Sequence, residues 1–209
     1  MFKKNLVFIV SAVVAILFVV YLALPHVLGW KAKTITKHTV ELETLLGDMA
    51  WVSPGLSETH ALYEISFRTC PACIAYHKTE FPKLQAMGVD TRLFVFAHDA
   101  EWVSAEERSV VAALSETRSW ELAQDWYEAS PNRFYAKMMD DIPSADGNEA
   151  RTALITKGQQ QISRLYTILA DNGIISTTPA LIWQNKAGKW RAITGYNLYT
   201  NAEIRKELK

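Results

Sequence analysis

The sequence lacks the features that several large classes of protein require. Its 209 residues contain only two cysteines, which are too few for a scaffold of crossed disulfides and fall short of the four ligands of a structural zinc site. No GxGxxG or GxxxxGK(S/T) pattern occurs among its nine scattered glycines, so no phosphate-binding loop is indicated. Internal repeats and low-complexity tracts are also missing.

The sequence also has no net positive charge. Lys and Arg together number 22, and so do Asp and Glu, so the formal net charge is zero. Five lysines lie in the first 40 residues, which contain no acid, and the remainder therefore holds 17 basic against 22 acidic residues. Because phosphate binding needs a basic face, we expect no nucleic-acid partner. A hydrophobic content of 49% is typical of one globular domain with appendages.

One long hydrophobic run is present near the N-terminus. Leu6 to Leu24 reads LVFIVSAVVAILFVVYLAL, which is 19 residues without a charge. A helix needs about 20 apolar residues to cross a bilayer, and the run exceeds the usual hydrophobic region of a signal peptide. The sequence therefore predicts a retained membrane anchor over residues 1–25, with a cleaved signal as the alternative. Lysines flank the run on both sides, so the charge rule leaves its orientation open.

The rest of the chain predicts a tether and an α/β domain. Residues 26–59 read as a polar-to-mixed tether with some short structure, including a short helix or an edge strand over 39–49. Periodicity and turn residues beyond it predict strands over 61–67, 91–97, 180–184 and 190–194, and helices over 74–87, 104–117, 119–129, 131–139, 147–172 and 201–208. Strand–helix–strand order predicts a parallel pair, and the short turn between the last two strands predicts an antiparallel one.

The two cysteines form a CPAC motif between the first predicted strand and the helix that follows it. A helix N-terminus offers unpaired N–H groups and a positive dipole end, which stabilise a thiolate relative to a free thiol with its pKa near 8.5. We place Cys70 at or near the N-cap, with Pro71 in the first helical position. Cys70 is then predicted to be the exposed, acidic nucleophile, and Cys73 the thiol that resolves a mixed disulfide. Any disulfide within the chain must join these two.

Two other interpretations of the cysteines are open. Cys70, Cys73 and His77 could form part of a zinc site, although three ligands with this spacing make a strained set. The cysteines could also be two ordinary buried thiols. We predict no metal site.

Glu64 and Thr178-Pro179 are the other candidate site residues. Glu64 lies six residues before Cys70 in an apolar strand, where burial would raise its pKa and let it accept a proton from Cys73. The alternative is that it faces solvent on an edge strand. Pro179 comes directly before the apolar run ALIW, and a cis bond there would expose the backbone of Thr178 to an extended substrate. A trans proline at the start of a strand is the alternative.

These motifs together resemble a known family. A strand with Glu64, then FRTCPAC, a helix, a helical insertion and TTPALIW resembles the thioredoxin superfamily, and more specifically the periplasmic disulfide oxidoreductases of the DsbA and DsbG/DsbC type. The acid six residues before the first cysteine is similar to thioredoxin and DsbA. The segment from LADNG to ITGY resembles the C-terminal part of DsbG and DsbC, and WELAQDWYEAS resembles their insertion.

The resemblance implies a thioredoxin-like α/β fold, with a mixed central sheet, over residues 60–209 and a helical insertion over about 100–175. It implies that Cys70 is the nucleophile, Cys73 the resolving thiol and Glu64 the proton relay, and that Pro179 is a cis-proline beside which Thr178 binds substrate. The implied activity is disulfide exchange with protein thiols and disulfides outside the cytoplasm. The redox-active Cys70–Cys73 disulfide would need no other cofactor.

The predicted anchor indicates where the enzyme would act, and the sequence also departs from the family at two points. An anchored enzyme of this type would be a single-pass protein of the bacterial inner membrane, facing the periplasm and exchanging electrons with another membrane protein. The dimerisation domain of DsbC and DsbG has no room in this chain. Ala72 stands where DsbA has histidine and DsbG tyrosine, which leaves the direction of electron flow open.

Two other functions are compatible with the sequence. One is a dedicated reductant or a peroxidase-type thiol relay on the same fold. The other is a non-enzymatic, tethered binding module that docks a partner through the helical insertion, whose tryptophans Trp102, Trp120 and Trp126 would supply contacts. We assign these tryptophans to the core instead.

Overall fold

The computed structural model describes residues 12–20, 31–99, 103–129, 141–196 and 198–209. Its first helix, α1, covers residues 12–20, inside the predicted anchor. Residues 6–11 and 21–24 of that hydrophobic run lie outside the described residues, as do Trp102 and the helix predicted over 131–139. Among the helices that are described, none combines the length and the apolar character that crossing a membrane requires. The membrane anchor therefore stays a prediction.

Five strands form one mixed sheet within the described residues. They are β1 (Lys33–Thr34), β2 (Ala61–Ser66), β3 (Asp90–Val95), β4 (Ala180–Gln184) and β5 (Trp190–Thr194). Their order across the sheet is β1-β5-β4-β2-β3, with β2 parallel to β3 and the other neighbours antiparallel. The predicted parallel and antiparallel pairs are both confirmed. Because β2 lies between β3 and β4, its residues are central and not at an edge.

The helices surround this sheet on both sides. They are α2 (Thr39–Asp48), α3 (Pro71–Thr79), α4 (Phe81–Gln85), α5 (Ala105–Thr117), α6 (Trp120–Glu128), α7 (Glu149–Asp171) and α8 (Leu198–Glu207). Besides α3, described below, three of these helices begin at a side chain that accepts a hydrogen bond from a backbone N–H of the first turn, which is the usual way to satisfy a helix start. These caps are Ser104 on α5, Ser119 on α6 and Asn148 on α7.

The helix predicted over 74–87 is two helices in the structure. The first one begins earlier, at Pro71, and the chain breaks at Glu80, with φ −109° and ψ −36°, before α4 starts. Pro82 explains the break, because a proline inside a helix donates no hydrogen bond and its ring crowds the preceding turn. The predicted kink is therefore a full interruption.

Residues 31–59, which the sequence analysis treats as part of a tether, belong to the folded domain. Lys33 pairs with Ala192 at the edge of the sheet, and Val52 forms an isolated bridge with Leu93. Helix α2 buries Leu42 and Leu46 against the same core. A strand of two residues is too short to show an alternating pattern, so β1 left no signal in the sequence.

Alternation along β2 divides the core into two parts. Leu62, Glu64 and Ser66 point to one side, which helices α3, α4, α5, α6 and α8 cover, and we call it the α3 face. Tyr63 and Ile65 point to the other side, the α2 face, which α2 and the second half of α7 cover. The candidate site residues of β2 and α3 thus share one face of the sheet.

Candidate active site

The cysteine motif occupies the start of α3. Cys70 is the N-cap with an extended backbone, φ −82° and ψ 106°, and Pro71 is the first helical residue. Its sulfur forms a disulfide with Cys73, with the two Cα atoms 5.3 Å apart. The backbone N–H of Cys73 donates to Sγ of Cys70 over 3.1 Å. The predicted cap position and disulfide are confirmed, and the same N–H and helix dipole can stabilise a thiolate after reduction.

Burial of Cys70 differs from the prediction. We expected an exposed sulfur, but Cys70 is only 4% exposed, against 0% for Cys73. The cap geometry explains this, because the side chain turns back over the first helical turn to reach the N–H of Cys73. Thr178 covers it from another side, with Oγ1 at 3.5 Å from Sγ. Cys70 is still the more accessible of the two cysteines.

The proline loop lies directly against the disulfide. The Thr178–Pro179 peptide bond is cis, and the hydroxyl of Thr178 donates to Sγ of Cys70, a residue 108 positions away in sequence. The carbonyl of Pro179 accepts from the N–H of Gly195 over 2.8 Å, which ties the loop to the end of β5. The structure therefore brings together two motifs that the sequence relates only by resemblance.

Glu64 is buried at the centre of the sheet. It pairs with Leu93 on β3 and Leu181 on β4, and it is 0% exposed. Burial raises the pKa of the Glu64 carboxyl, and the nearby imidazole of His77 opposes this shift. The alternative in which Glu64 faces solvent on an edge strand is wrong. Its role as a proton acceptor for Cys73 stays a prediction.

His77 is the partner of Glu64, and the sequence analysis considered it only as a zinc ligand. Its Nε2 lies 2.9 Å from Oε2 of Glu64. The ring is stacked between Phe81 and Tyr127, with both ring centroids 4.3 Å from its own. Because His77 lies four residues after Cys73, the two share a face of α3. That spacing is the signal that could have placed His77 over the carboxylate.

No zinc site of the kind considered above is formed. Both sulfurs belong to the disulfide, and His77 contacts Glu64. Across the ranges that the structure covers, no group of three His, Cys, Asp or Glu side chains is placed to hold a metal ion.

A second buried charge lies two residues before the disulfide. Arg68 is 3% exposed and donates to the carbonyl of Ala129 at the end of α6. Its guanidinium lies 6.0 Å from the Trp126 ring centroid and 5.7 Å from that of Tyr127. Burial also raises the pKa of Glu107 on α5, and Arg68 opposes that shift. Arg68 therefore ties the turn before Cys70 to the helical insertion, and the sequence analysis missed it.

A groove opens beside this site. Its volume is about 340 Å³, and it lies between α3, α4 and α6. Aromatic rings and the ring of His77 form much of its wall, and charged groups lie among its other lining residues. Its lining includes His77, Lys78, Phe81, Trp120, Tyr127 and Glu128.

Comparison with known proteins identifies the fold. The chain is similar to Proteus mirabilis ScsC in a transitional conformation, with TM-score 0.57 and 16% identity over 99% of this chain and 94% of that one. It is similar to a periplasmic thioredoxin-like protein from Salmonella enterica serovar Typhimurium, with TM-score 0.56 and 14% identity over 83% and 98%. It is also similar to the thiol-disulfide exchange protein alpha-DsbA2 from Wolbachia pipientis, with TM-score 0.52 and 16% identity over 81% and 91%.

These similarities establish a thioredoxin-like α/β fold with a mixed five-stranded sheet and a helical insertion. No protein-family model matches the sequence. A search of curated proteins finds no match either.

Proposed function

We propose that this protein is a thiol–disulfide oxidoreductase that exchanges disulfides with extracytoplasmic proteins through Cys70 and Cys73. One observation carries the proposal: Sγ of Cys70 accepts from the Cys73 N–H at a helix start and from the Thr178 hydroxyl of a cis-proline loop. Both contacts stabilise negative charge on this sulfur. Structural similarity to a protein described as a thiol-disulfide exchange protein supports the same activity.

The chemistry needs two exchange steps. In the reduced protein, the Cys70 thiolate attacks a substrate disulfide, so that a mixed disulfide forms and one substrate thiolate leaves. Cys73 then loses its proton, attacks Sγ of Cys70, and releases the second substrate thiolate as the Cys70–Cys73 bond forms. We assign the proton of Cys73 to Glu64, which is buried under the same helix. Substrate oxidation is the same sequence in reverse.

The proline loop supports a place for the substrate. Thr178 lies against the reactive sulfur and directly precedes Pro179 and strand β4. We assign to its backbone the pairing with an extended peptide, in the manner of an added strand. This arrangement would hold a substrate sulfur in line with Cys70.

We also propose that residues 1–25 anchor the enzyme in the bacterial inner membrane and that the folded domain faces the periplasm. The hydrophobic run of 19 residues supports the anchor. One structural neighbour is described as periplasmic, which supports the compartment. A disulfide in a small domain is also typical of an oxidising compartment. The electron partner is then another membrane protein.

A trapping experiment tests the proposed activity. The Cys73→Ala variant of the full chain should accumulate mixed disulfides with other proteins in cells, and a reducing agent should dissolve them. The matched control is Cys70→Ser combined with Cys73→Ala, which keeps the fold but has no nucleophile. If Cys73→Ala accumulated no more mixed disulfides than the control on a non-reducing gel, the proposal would be refuted.

The reduction potential gives the direction of electron flow. A potential near about −120 mV indicates an oxidant, and one near about −270 mV a reductant. Equilibration with glutathione buffers of known ratio measures it. Insulin reduction compared with peroxide reduction separates action on proteins from a peroxidase-type relay.

A further inference from the structure

The position of Glu64 raises the question of how its proton reaches water. The carboxylate is 0% exposed, and within the described part of the chain neither of its oxygens has a hydrogen bond of good geometry. Burial favours the neutral form of this carboxyl, yet Glu64 can take the proton of Cys73 only if it is ionised while Cys73 resolves the mixed disulfide. Its proton must therefore be able to exchange with water.

His77 links the carboxylate to the groove. Its Nε2 is buried and lies 2.9 Å from Oε2 of Glu64, whereas its side chain is 10% exposed and forms part of the groove wall. Phe81 and Tyr127 stack on the two sides of the ring and hold it in this orientation. The imidazole therefore contacts the carboxylate through Nε2, and the same side chain lines the groove.

We propose that His77 is a relay residue, which carries the proton between Glu64 and water in the groove while Cys73 resolves the mixed disulfide. The proposal rests on the disulfide-exchange function above. His77 contacts neither sulfur nor substrate in this role, so it acts through Glu64.

The proposed step balances in protons and electrons. Cys73 gives its proton to Glu64 as its sulfur bonds to Sγ of Cys70, and the substrate sulfur leaves with the electron pair of the broken bond. Glu64 then passes the proton to Nε2 of His77, and the ring releases its Nδ1 proton to water. When the Cys70–Cys73 disulfide is reduced, the same transfers run in reverse and return the ring to its starting tautomer. The departing substrate thiolate takes a proton from solvent. No additional oxidant or reductant is needed, because the mixed disulfide is itself the oxidant.

Other titratable groups face this pair from the neighbouring elements. Burial raises the pKa of the Tyr76 hydroxyl on α3 and of the Tyr127 hydroxyl on α6, so both stay protonated near neutral pH. Tyr127 is also within 2.8 Å of the Ser66 hydroxyl. Charged groups that act on these rings or line the groove are Arg68, Lys78, Glu80, Glu107, Glu128 and Arg205.

A stopped-flow experiment on the reduced full chain in detergent separates the two exchange steps. The probe is a small fluorogenic disulfide, whose attack by Cys70 gives a first phase that rises with its concentration. Resolution by Cys73 gives a second phase that does not. In His77→Ala the carboxyl of Glu64 has no route by which to give up its proton during resolution, so less of it can act as the acceptor for Cys73. We expect the first phase to be unchanged and the second to slow at least about tenfold, since a positioned proton acceptor typically contributes 10² or more.

Chemical rescue tests the role of the ring as a base. Imidazole added to His77→Ala can fill the gap between Phe81 and Tyr127 and should restore the second phase in proportion to its concentration. Pyrrole has the same shape but no basic nitrogen, and it should restore nothing. Equal rescue by the two compounds would show that His77 only fills space and would overturn the proposal.

A second variant keeps the stacking. His77→Phe preserves an aromatic ring between Phe81 and Tyr127, so it should fold even where the alanine variant does not. We expect its second phase to be as slow as that of His77→Ala. A second phase at the wild-type rate in His77→Phe would overturn the proposal. A wild-type protein without any first phase would instead refute the underlying exchange function.

Discussion

The two faces of the sheet are built in different ways. On the α2 face, the buried cluster is hydrophobic, and the charged groups around it are paired with an opposite charge. The buried carboxylate of Asp90 lies 2.9 Å from Arg92, and Glu41 pairs with Arg164 at the exposed rim. The α3 face also has a large hydrophobic cluster, but it buries Glu64, Arg68 and Glu107 as well. Charged groups are normally kept out of a core because removing them from water is unfavourable. Under the proposed function, the α2 face stabilises the fold, and the α3 face gives up some stability for chemistry.

Removal of the nucleophile should have the largest effect on activity. Cys70→Ser should abolish disulfide exchange in an insulin reduction assay, because the hydroxyl does not form a disulfide. Circular dichroism should show an intact fold, since Cys70 lies at a helix cap where serine is also favoured. Residual exchange above background would place the nucleophile elsewhere.

Truncation on the α2 face should have the largest effect on stability. Leu165 is 0% exposed on α7, and Leu165→Ala should lower the free energy of unfolding by about 2–5 kcal/mol because a cavity forms. The rate of disulfide exchange per folded molecule should not change. Urea denaturation measures the first quantity, and Ile175→Ala, at a position 72% exposed, is the control. Loss of exchange in folded Leu165→Ala would contradict the division between the faces.

Replacement of Glu64 should change stability and rate in opposite directions. Burial raises the folded-state pKa of its carboxyl above the unfolded value. At pH values between these two pKa values, the folded protein therefore binds more protons than the unfolded chain. Wild-type stability should therefore fall as the pH rises from the ordinary glutamate range through the raised pKa. Glu64→Gln does not titrate, and above that range it should be more stable by on the order of 1–2 kcal/mol.

The same variant should resolve mixed disulfides about 10²-fold more slowly, because Cys73 then lacks the proton acceptor that we propose. Denaturation at several pH values and stopped-flow kinetics measure the two effects. Glu58→Gln, in the exposed loop before β2, is the control and should change neither. A variant that is less stable at high pH would show that the buried carboxylate does not disfavour folding.

Loss of the Thr178 hydroxyl should have the smallest of these effects. Thr178→Val keeps the shape of the side chain but removes the donor 3.5 Å from Sγ of Cys70. The pKa of the reduced Cys70 thiol should rise, and exchange at neutral pH should slow about tenfold, which corresponds to roughly 1.4 kcal/mol. Thiolate absorbance near 240 nm follows the titration. Thr177→Val, one residue earlier on an exposed position, should leave the titration unchanged.

Much of the fold could be predicted because its signals are local. The alternation along β2, the prolines at 71 and 82, and the capping serine at 104 each act within a few residues, and the corresponding strands and helices lie within about three residues of their predicted ends. The break at Glu80 and strand β1 could not be predicted in the same way. The break depends on how far Pro82 disturbs the helix. Strand β1 depends on its pairing with Ala192 of β5, which lies far along the chain.

The candidate site also has some features that local sequence predicts and others that depend on distant parts of the chain. Cys70 at a helix cap follows from the order strand, CPAC, helix, and so does the deeper position of Cys73. The contact between Thr178 and Cys70 joins residues 108 positions apart, and only the resemblance to a family connected them beforehand. His77 over Glu64, Arg68 under the insertion and the low exposure of Cys70 all came from the structure.

By itself, the amino-acid order determined which residues carry reactive groups and which short segments form strands and helices, because backbone preferences and side-chain periodicity act over a few residues. Only the tertiary structure decided which of those groups face each other and how much water reaches them. Packing sets both, since the environment of a buried carboxylate or sulfur consists of atoms from distant parts of the chain. For this protein, the pairing of Glu64 with His77 is the clearest case.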